Sequence, residues 1–493
     1  MLVGAEIVLG LFLSYIFYRS LCAIIGHYRI VNILKKFPGP KSHWLLGNLH
    51  QLASPKEFLK SYHSFSLKFP RKFLLWYGPL TPVLSVSHPE TIRAVIKAKT
   101  IKDGPAYQYL LPWLGRGILL ENGTKWARNR RLVTPAFHFE IMQSYVEVMN
   151  QCVSIFIEKL NEHAVDNTRI SVFDTVRLLS FDILLRSAFA INLDCQRSGR
   201  SHPFVKLTNE NTQLVEGRLY EILKSLNLIY NLSSTGRKYA DNCRCSNQIA
   251  QQLIEDRQKQ FNNNEVDLSS TKFNFIDILL SARDNMGKSL TKREICDEVE
   301  TFLFAGHDTT ASAISWTLYC LAKHPQHQQK IYQEVYDICK RDSLTIADLS
   351  KLKHTTMCIK EAMRLHSTVP IVTRILEEDT EIDGITAPVG TMIEIAIYNL
   401  HHNPEIWPSP WEYDPDRYQA ERCQNRDPYA YIPFSIGSRN CIGQVFALNE
   451  IKLVVAKTVY NYYLRIGEDY SPKHLQSLVL KAANSLWITV QKR

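Results

Sequence analysis

The 493-residue sequence lacks the features that mark several common classes of protein. It has no Ser/Gly-rich linker, no low-complexity tract and no internal repeat, so its composition does not divide it into separate domains. Its 11 cysteines are scattered and include no Cys-x-x-Cys, which argues against a disulfide framework and favours reduced thiols in a reducing compartment. The net charge is +10, but the basic residues form no stripe and no nucleic-acid-binding motif. We therefore predict no nucleic-acid partner.

The N-terminus has no lysine or arginine before its first apolar segment, residues 7–17. Basic residues follow that segment, at Arg19, Arg29, Lys35 and Lys36. A cleavable signal peptide normally starts with a basic region, and the positive-inside rule leaves the rest of the chain in the cytosol. We predict a signal anchor over residues 1–30 and a hinge over residues 31–44, where Pro38-Gly39-Pro40 cannot continue a helix. The alternative is a buried N-terminal helix, because the apolar segment is shorter than the roughly 17–25 residues of a membrane span.

Helical periodicity dominates the sequence and strand-like runs are few, which predicts a mainly α fold with a small β part. The strand-like runs are residues 73–77, 83–86, 381–388 with an Asp383-Gly384 turn, and 392–398. The run from Thr291 to Leu321 has no proline and is predicted to form one long helix. The proline-rich, tryptophan-bearing stretch 399–438 is predicted to be an ordered meander rather than a linker.

One cysteine lies in a setting typical of a metal ligand. Cys441 is on a glycine-punctuated loop just before an apolar helical run, where free backbone N–H groups and the helix dipole favour the thiolate. Gly437 and Gly443 would let the backbone pass close to a flat, bulky group, and Arg439 supplies a cation for an acidic group beside the metal. One thiolate with one cation suits the axial ligand of a haem better than a four-ligand zinc site. The alternative is an ordinary buried cysteine.

The pattern Phe-x-x-Gly-x-Arg-x-Cys-x-Gly resembles the haem-ligand signature of the cytochrome P450 superfamily, the haem-thiolate monooxygenases. Its five specified positions are filled by Phe434, Gly437, Arg439, Cys441 and Gly443. The resemblance covers essentially the whole chain and implies the cytochrome P450 fold, with one monooxygenase domain over residues 45–493. It also implies haem b, which Cys441 would hold through its iron and which would otherwise be bound non-covalently.

The predicted long helix carries a second family pattern, matched at Ala305, Gly306, Asp308, Thr309 and Thr310. Glycine inside a helix costs about 1 kcal/mol relative to alanine, so we expect a ligand to approach the backbone at Gly306. Thr309 is expected to tilt its hydroxyl into a groove, away from the backbone, and Asp308 beside it to connect to water. The resemblance implies that this pair is catalytic and relays protons. The alternative is a threonine-rich helix with an exposed aspartate.

Further arginines match cofactor-binding positions. Trp126 and Arg130 lie at i, i+4, which places an indole N–H and a guanidinium on one helix face, suited to a carboxylate. The resemblance implies that these two residues, with Arg374 and Arg439, bind the haem propionates. Arg128 and Arg131, on the other face of this helix, are either solvated or part of a docking surface.

Glu361 and Arg364 lie at i, i+3 and, with Arg417, resemble the family's buried structural triad, which holds the meander against the core. An ordinary surface ion pair would have the same spacing. The residues expected to line a substrate pocket are apolar, and general core is the alternative. They are Phe302, Phe304, Ala305, Val369, Ile371 and Val372.

The resemblance implies a monooxygenase of the endoplasmic reticulum (microsomal) membrane, with its catalytic domain on the cytosolic face. Its partners would be membrane lipid, a small apolar substrate and an NADPH-dependent flavoprotein reductase, with cytochrome b5 as a second candidate donor. Residues 112–120 and 132–139 are especially similar to family 4 and its insect relatives, which suggests a fatty acid, an insect hormone or a xenobiotic such as an insecticide. Many family-4 enzymes have a glutamate that becomes ester-linked to haem at the position of Ala305, so that link cannot form here.

Two other functions remain open at the level of sequence. One is a haem-thiolate isomerase or dehydratase that acts on peroxides without external electrons, which the Asp308-Thr309 pair argues against. The other is a non-catalytic carrier of haem or of another ligand.

Overall fold

The computed structural model describes residues 2–52, 54–198, 203–262, 274–338, 343–467 and 470–493. Helices dominate these ranges, which confirms the prediction of a mainly α fold with a small β part. The helices are α1 (Leu2–Leu34), α2 (Phe58–Lys68), α3 (Pro89–Lys97), α4 (Pro105–Leu114), α5 (Gly123–Val133), α6 (Phe139–Val165), α7 (Val172–Phe189), α8 (Cys195–Ser198), α9 (Pro203–Tyr220), α10 (Ile222–Ser225), α11 (Asn227–Leu232), α12 (Ser234–Asn262), α13 (Phe275–Ser281), α14 (Lys292–Lys323), α15 (Pro325–Ile338), α16 (Ile346–Lys351), α17 (Lys353–Leu365), α18 (Ile397–His401), α19 (Ala420–Cys423) and α20 (Gln444–Asn461).

The strands are β1 (Lys72–Trp76), β2 (Pro82–Val86), β3 (Thr100–Ile101), β4 (Ile170–Ser171), β5 (Ile371–Leu376), β6 (Thr380–Ile382), β7 (Ile385–Ala387), β8 (Met392–Ala396), β9 (Tyr462–Arg465), β10 (His474–Leu475), β11 (Lys481–Ala482) and β12 (Trp487–Lys492). The largest sheet has the order β1-β2-β8-β5-β3, in which β2 and β8 are parallel and the other neighbours antiparallel. A second sheet has the order β4-β12-β9, and β6-β7 and β10-β11 form separate pairs.

Most predicted strands are present. The run 381–388 forms the β6–β7 hairpin, in which Asp383 and Gly384 both have positive φ, as its tight turn requires. The predicted strand 392–398 ends earlier, at Ala396, because Ile397 begins α18. Strand β5 was not predicted. It pairs with β8 and β3, so its extended conformation depends on partners that are distant in sequence.

Helix α14 runs through the core, and the prediction of one helix from Thr291 to Leu321 is confirmed. Its start is fixed by a capping box, in which Thr291 Oγ1 accepts from the Glu294 amide at 3.2 Å and Glu294 Oε2 accepts from the Thr291 amide at 2.8 Å. Most of its side chains are buried between α7, α17 and α20. A helix buried on nearly all sides can present one short segment to an internal cavity.

The predicted triad forms inside the protein. The guanidinium of Arg364 donates two 2.8 Å bonds to the carboxylate of Glu361, and Arg417 Nε donates to the same carboxylate at 3.2 Å. Arg364 also donates to the carbonyls of His401, Pro410 and Glu412 in the meander. Glu361 and Arg364 are fully buried, so the alternative of a surface ion pair is wrong. The triad ties the predicted meander, which is ordered, to α17.

Helix α1 ends at Leu34, before Pro38, and the side chains of Leu34 and Phe37 are buried against the largest sheet. The Leu74 amide donates to Pro38 O at 2.7 Å, so this segment lies along β1. Within the ranges given above, we find no helix that combines the length and the apolar character needed to cross a membrane. The boundaries at residues 30 and 44 stay predictions.

Candidate active site

A cavity of about 910 Å³ lies between α14, β5 and the loop that precedes α20. Its lining contains all six residues that the sequence suggested for a substrate pocket, so they are not merely general core. It also contains most of the predicted site residues, namely Trp126, Arg130, Thr309, Phe434, Arg439 and Cys441. Neither Arg374 nor Asp308 is part of this lining.

The loop before α20 presents Cys441 to the cavity. The Cys441 amide donates to Phe434 O at 2.9 Å, which closes the loop on itself. Gly437 has φ +81°, and a Cβ there would lie 2.7 Å from Ile96 Cγ2, so only glycine fits. Gly443 meets no such constraint, because a Cβ there would lie 3.8 Å from the nearest atom, in Phe137.

Enclosure raises the pKa of the Cys441 thiol, whereas the Gly443 amide, Lys102 and Arg130 act in the opposite direction. The expected bias toward the thiolate is therefore present but is outweighed by burial. The side chain is accessible only because it faces the cavity deep in the protein. A metal ion bound to sulfur would supply the missing stabilisation of the anion.

Four basic side chains lie around the end of the cavity that contains Cys441. They are Lys102, Arg130, Arg374 and Arg439. Arg130 donates to Asn440 O at 3.1 Å and to Asn440 Oδ1 at 3.0 Å. Arg439 donates two 2.9 Å bonds to Glu121 O, and its guanidinium lies 4.3 Å from the centre of the Trp126 ring. Both guanidiniums are thus held by neutral groups, and burial lowers the pKa of each, that of Arg439 to about 10.

Arg374 is 1% exposed, and its Nη2 has no hydrogen-bond partner among the described residues. Lys102 was not predicted from the sequence, because no motif marks it. It follows β3, which pairs with the Arg374-bearing strand β5, so the sheet brings the two cations together. Burial, followed by the charges of Arg374 and Arg439, lowers the pKa of Lys102 well below its ordinary value.

These residues fit a haem. In the part of the chain that the structure describes, none of the four cations forms a salt bridge with a carboxylate. Buried cations without counter-ions are costly, so the cluster calls for an anionic ligand, and the two haem propionates would supply it. Arg130, Arg374, Arg439, Lys102 and the Trp126 indole would hold the propionates. Cys441 would be the axial ligand and Phe434 would pack near it.

The cavity-facing part of α14 differs in detail from the expectation. Thr309 lines the cavity, but its hydroxyl donates to Ala305 O at 2.8 Å instead of tilting away from the backbone. A Cβ on Gly306 would lie 3.0 Å from Leu184 Cδ1, so Gly306 packs closely against α7 and is not part of the cavity lining, contrary to the expected approach of a ligand. Successive helical residues point about 100° apart, which is why Ala305 faces the cavity and Gly306 does not.

Asp308 lies behind this wall and is 1% exposed. Its Oδ2 is 3.3 Å from Lys481 Nζ, and its Oδ1 has no hydrogen-bond partner among the described residues. Burial raises the pKa of this carboxyl, but the charges of Lys481, His307 and Arg177 outweigh burial and lower it. The alternative of an exposed aspartate is therefore wrong, whereas the predicted role of Asp308 and Thr309 in relaying protons stays a prediction. Asp308 is instead ion-paired with β11.

Of the two arginines on the other face of α5, Arg128 differs from the expectation. Arg128 Nε is 2.7 Å from Asp284 Oδ2, and its Nη1 is 3.4 Å from Glu294 Oε1. It is mostly buried, so neither the solvated nor the docking interpretation holds for it. Arg131 is exposed, and both interpretations remain open there.

Comparisons with known proteins agree with this geometry. The family model described as "Cytochrome P450" matches residues 37–488. The chain is 36% identical over 493 residues to leukotriene-B4 omega-hydroxylase 3 of Mus musculus and to cytochrome P450 4F12 of Homo sapiens. Each alignment covers 97% of this chain and 94% of the relative. The crystal structure of the cytochrome P450DA heme domain superposes with a TM-score of 0.83 at 24% identity, covering 93% of this chain and 98% of that one, and so shares the fold.

Family, fold and site point to the same cofactor and reaction class. The cofactor is haem b, bound through the Cys441 thiolate, and the reaction is a monooxygenation that uses an electron-transfer partner and an apolar substrate. Because the family model and the relatives span nearly the whole chain, this protein belongs to the cytochrome P450 family of monooxygenases.

Proposed function

We propose that this protein is a membrane-bound monooxygenase that hydroxylates a fatty acid or a related long-chain lipid, with electrons from NADPH through a flavoprotein reductase. The observation that carries the proposal is a single apolar cavity whose lining contains Cys441 together with Ala305 and Thr309 of α14. The cation cluster at one end of this cavity fixes where the cofactor's carboxylates would lie. Cytochrome b5 is a second candidate electron donor.

Each residue has a distinct task in this mechanism. When bound, haem supplies the activation of dioxygen, from which one oxygen atom enters the substrate and the other leaves as water. Cys441 would hold the haem iron through its thiolate, and Arg130, Arg374 and Arg439 would hold the propionates. Thr309 carries a proton on Oγ1 at the cavity wall, where the hydroxyl can turn from Ala305 O toward a bound ligand. We assign the Asp308–Lys481 pair to the outer end of the proton supply, because Lys481 is 22% exposed.

The lining of the cavity reaches from Cys441 to the protein surface. It extends to Leu80 in the β1–β2 turn and to Leu226, two residues that are largely exposed. Haem would take up part of the 910 Å³ near Cys441, and the substrate would occupy the part of the cavity that leads toward Leu80 and Leu226. The name of the mouse relative describes hydroxylation of a lipid at its omega position, which agrees with a chain that enters end first.

A substrate screen tests the proposal that the substrate is a fatty acid or a related long-chain lipid. The full-length, haem-loaded protein is titrated with saturated and unsaturated fatty acids, insect hormones and insecticides, and binding is followed by the shift of the haem absorption band. The ligands that bind are then incubated with NADPH and a reductase, and the products are identified by mass spectrometry. We expect fatty acids to bind and to be hydroxylated near the chain end.

Other outcomes of the screen would contradict the proposal. Oxidation of only hormones or insecticides would overturn the substrate class while leaving the reaction class intact. Conversion of peroxides without NADPH, with no NADPH-dependent product, would support the isomerase alternative. Binding with no turnover under either condition would support a carrier.

The role of Cys441 has its own test. Cys441→Ser removes the sulfur ligand, so we expect the reduced carbon-monoxide complex to lose the red-shifted Soret band that a thiolate ligand gives. Cys423→Ser is the matched control, since Cys423 lies in the meander outside the cavity lining. A Cys441→Ser protein that kept the band would show that another residue is the ligand.

We also propose that residues 1–30 anchor the protein at the cytosolic face of the endoplasmic reticulum membrane. Exposed apolar side chains support this location, both on α1 and beside the cavity mouth. They include Leu11, Phe17, Leu21, Leu80, Leu226, Leu228 and Leu232.

Deletion of residues 1–30 keeps the buried Leu34 and Phe37, so we expect haem binding to persist while membrane association falls. A truncated protein that is unfolded and haem-free would favour the buried-helix alternative.

A further inference from the structure

A cluster of three metal-ligand side chains lies outside the active site, where α15 meets α17. His327 is on α15, and His354 and Cys358 are at i, i+4 on one face of α17. His327 Nδ1 is 3.2 Å from His354 Nε2, and His354 Nε2 is 3.5 Å from Cys358 Sγ. The three ligand atoms all lie within 4.8 Å of one another.

These distances match a tetrahedral zinc site. With Zn–N bonds of about 2.0 Å and a Zn–S bond of about 2.3 Å, the tetrahedral edges are about 3.3 Å between two nitrogens and about 3.6 Å between nitrogen and sulfur. Two of the three edges of the cluster are therefore already close to their bonded lengths. The third edge, between His327 and Cys358, is at most 4.8 Å and would shorten when both side chains bind the ion.

The surroundings suit a bound cation. His327 and Cys358 are buried, and the half-buried His354 leaves a path to solvent. The charges that act on the cluster are the carboxylates of Glu334 and Asp416 and the ammonium of Lys330. A zinc ion with one thiolate ligand carries a net positive charge, which the two carboxylates together with Lys330 would neutralise.

The cluster is also held rigidly. Glu334, on α15, accepts from the backbone amides of His354 at 2.6 Å and Thr355 at 2.9 Å, which fixes the first turn of α17. The Tyr413 hydroxyl, from the meander, donates to Cys358 O at 3.0 Å. Positions fixed by such surrounding bonds favour metal binding, because little ordering remains to be done when the ion arrives.

We propose that His327, His354 and Cys358 bind one Zn²⁺ ion, with water in the fourth position. The Cys358 proton is released to solvent as the Zn–S bond forms, and no oxidation or reduction takes place. The ion would join α15 to α17 three residues before Glu361 of the buried triad, and so strengthen the attachment of the meander. The site lies apart from the active site, and its existence does not depend on the proposed substrate.

The test is zinc binding to the full-length, haem-loaded protein without an affinity tag. After removal of bound metal with a chelator, Zn²⁺ is titrated in competition with a chromophoric chelator, and thermal unfolding is measured with and without Zn²⁺. We expect one tight site per chain and a rise in the unfolding temperature. His354→Gln and Cys358→Ser should each weaken this site at least about tenfold, since each removes one of three ligands. His163→Gln, at a half-buried histidine outside the cluster, and Cys152→Ser, at a buried cysteine, are the controls.

A second measurement needs no substitution. Cd²⁺ bound to a thiolate gives a sulfur-to-metal charge-transfer absorption in the ultraviolet, so titration with Cd²⁺ should produce that band at one equivalent. Absence of both the band and a tight zinc site would overturn the proposal and leave the cluster as a hydrogen-bonded network. Equal zinc binding by the two ligand variants and the unsubstituted protein would overturn it as well.

Discussion

Asp308 and Lys481 form an ion pair directly behind the wall of the active-site cavity, with 3.3 Å between Oδ2 and Nζ. The carboxylate is almost fully buried, while the ammonium reaches partly into solvent. A charge that is buried in this way persists only when a partner stabilises it. Lys481 is thus the residue that keeps an ionised carboxylate next to Thr309.

Replacement of Lys481 tests this relationship. In the folded protein the pKa of Asp308 is lowered, so the pair stabilises the fold above the unfolded pKa of about 4 and loses this contribution as the pH falls through the folded pKa. In Lys481→Met, burial would dominate and raise the pKa. We expect a loss of about 3 kcal/mol in the free energy of unfolding at neutral pH, measured by urea denaturation. The loss should shrink as the pH falls and Asp308 becomes protonated.

Two further variants control this experiment. Lys473→Met changes an exposed lysine on the neighbouring strand region and should have little effect. Lys481→Met combined with Asp308→Asn should recover part of the stability, because no buried charge is left unpaired. A loss that is independent of pH would mean that Lys481 acts through packing and not through its charge.

Thr309 and Thr317 allow a matched test of the proposed proton donor. Both hydroxyls on α14 donate to the carbonyl four residues earlier, at 2.8 Å and 2.7 Å, but only Thr309 lines the cavity. Thr309→Ala should therefore divert electrons from product to hydrogen peroxide, whereas Thr317→Ala should leave coupling unchanged. The measurement is the ratio of product formed to NADPH consumed. If both variants keep the same ratio as the unsubstituted protein, the Thr309 hydroxyl has no part in proton delivery.

The sequence alone predicts the structure correctly where neighbouring residues determine it. The proline-free run from Thr291 to Leu321 predicted α14 to within two residues at either end. The spacing of Glu361 and Arg364 predicted their ion pair. The loop motif predicted that the backbone near Cys441 passes close to a bulky group, which agrees with the place of Cys441 in the cavity lining. In each case the interacting groups lie within a few residues of one another, so the chain itself fixes their relation.

Contacts between distant residues could not be predicted in the same way. Lys102 joins the cation cluster because β3 pairs with β5, and Asp308 meets Lys481 across 173 positions of the chain. Arg128 was placed on a helix face correctly, but the carboxylates of Asp284 and Glu294 that cover it come from other elements. Helical periodicity indicates which residues share a face, and only the packed structure shows what that face meets.

Removal of a charge from the buried Glu361–Arg364–Arg417 triad should lower the free energy of unfolding far more than removal of a charge from a surface pair of the same spacing. Glu361→Gln leaves two buried guanidiniums without their counter-ion, so we expect a loss of about 3–5 kcal/mol in the free energy of unfolding and little haem incorporation. Lys60→Met breaks the exposed i, i+3 pair with Glu57, and should cost less than about 1 kcal/mol. Urea denaturation and the haem-to-protein ratio measure the two effects. Similar losses in both variants would contradict a buried structural role for Glu361.

The absence of a carboxylate at position 305 determines how haem is retained. Ala305 lines the cavity, and its methyl group cannot form the ester that a glutamate forms at this position in many family-4 enzymes. Acid denaturation should therefore release all of the haem, and the mass of the denatured chain should equal that of the polypeptide alone.

Ala305→Glu places a carboxylate in the same cavity, so a fraction of the chains should gain the mass of haem after turnover with NADPH and reductase. Ala305→Gln is the matched control, because it has the same size but no carboxylate to form the ester. A haem adduct on the unsubstituted chain, or an equal adduct on the Gln variant, would show that another residue forms the bond.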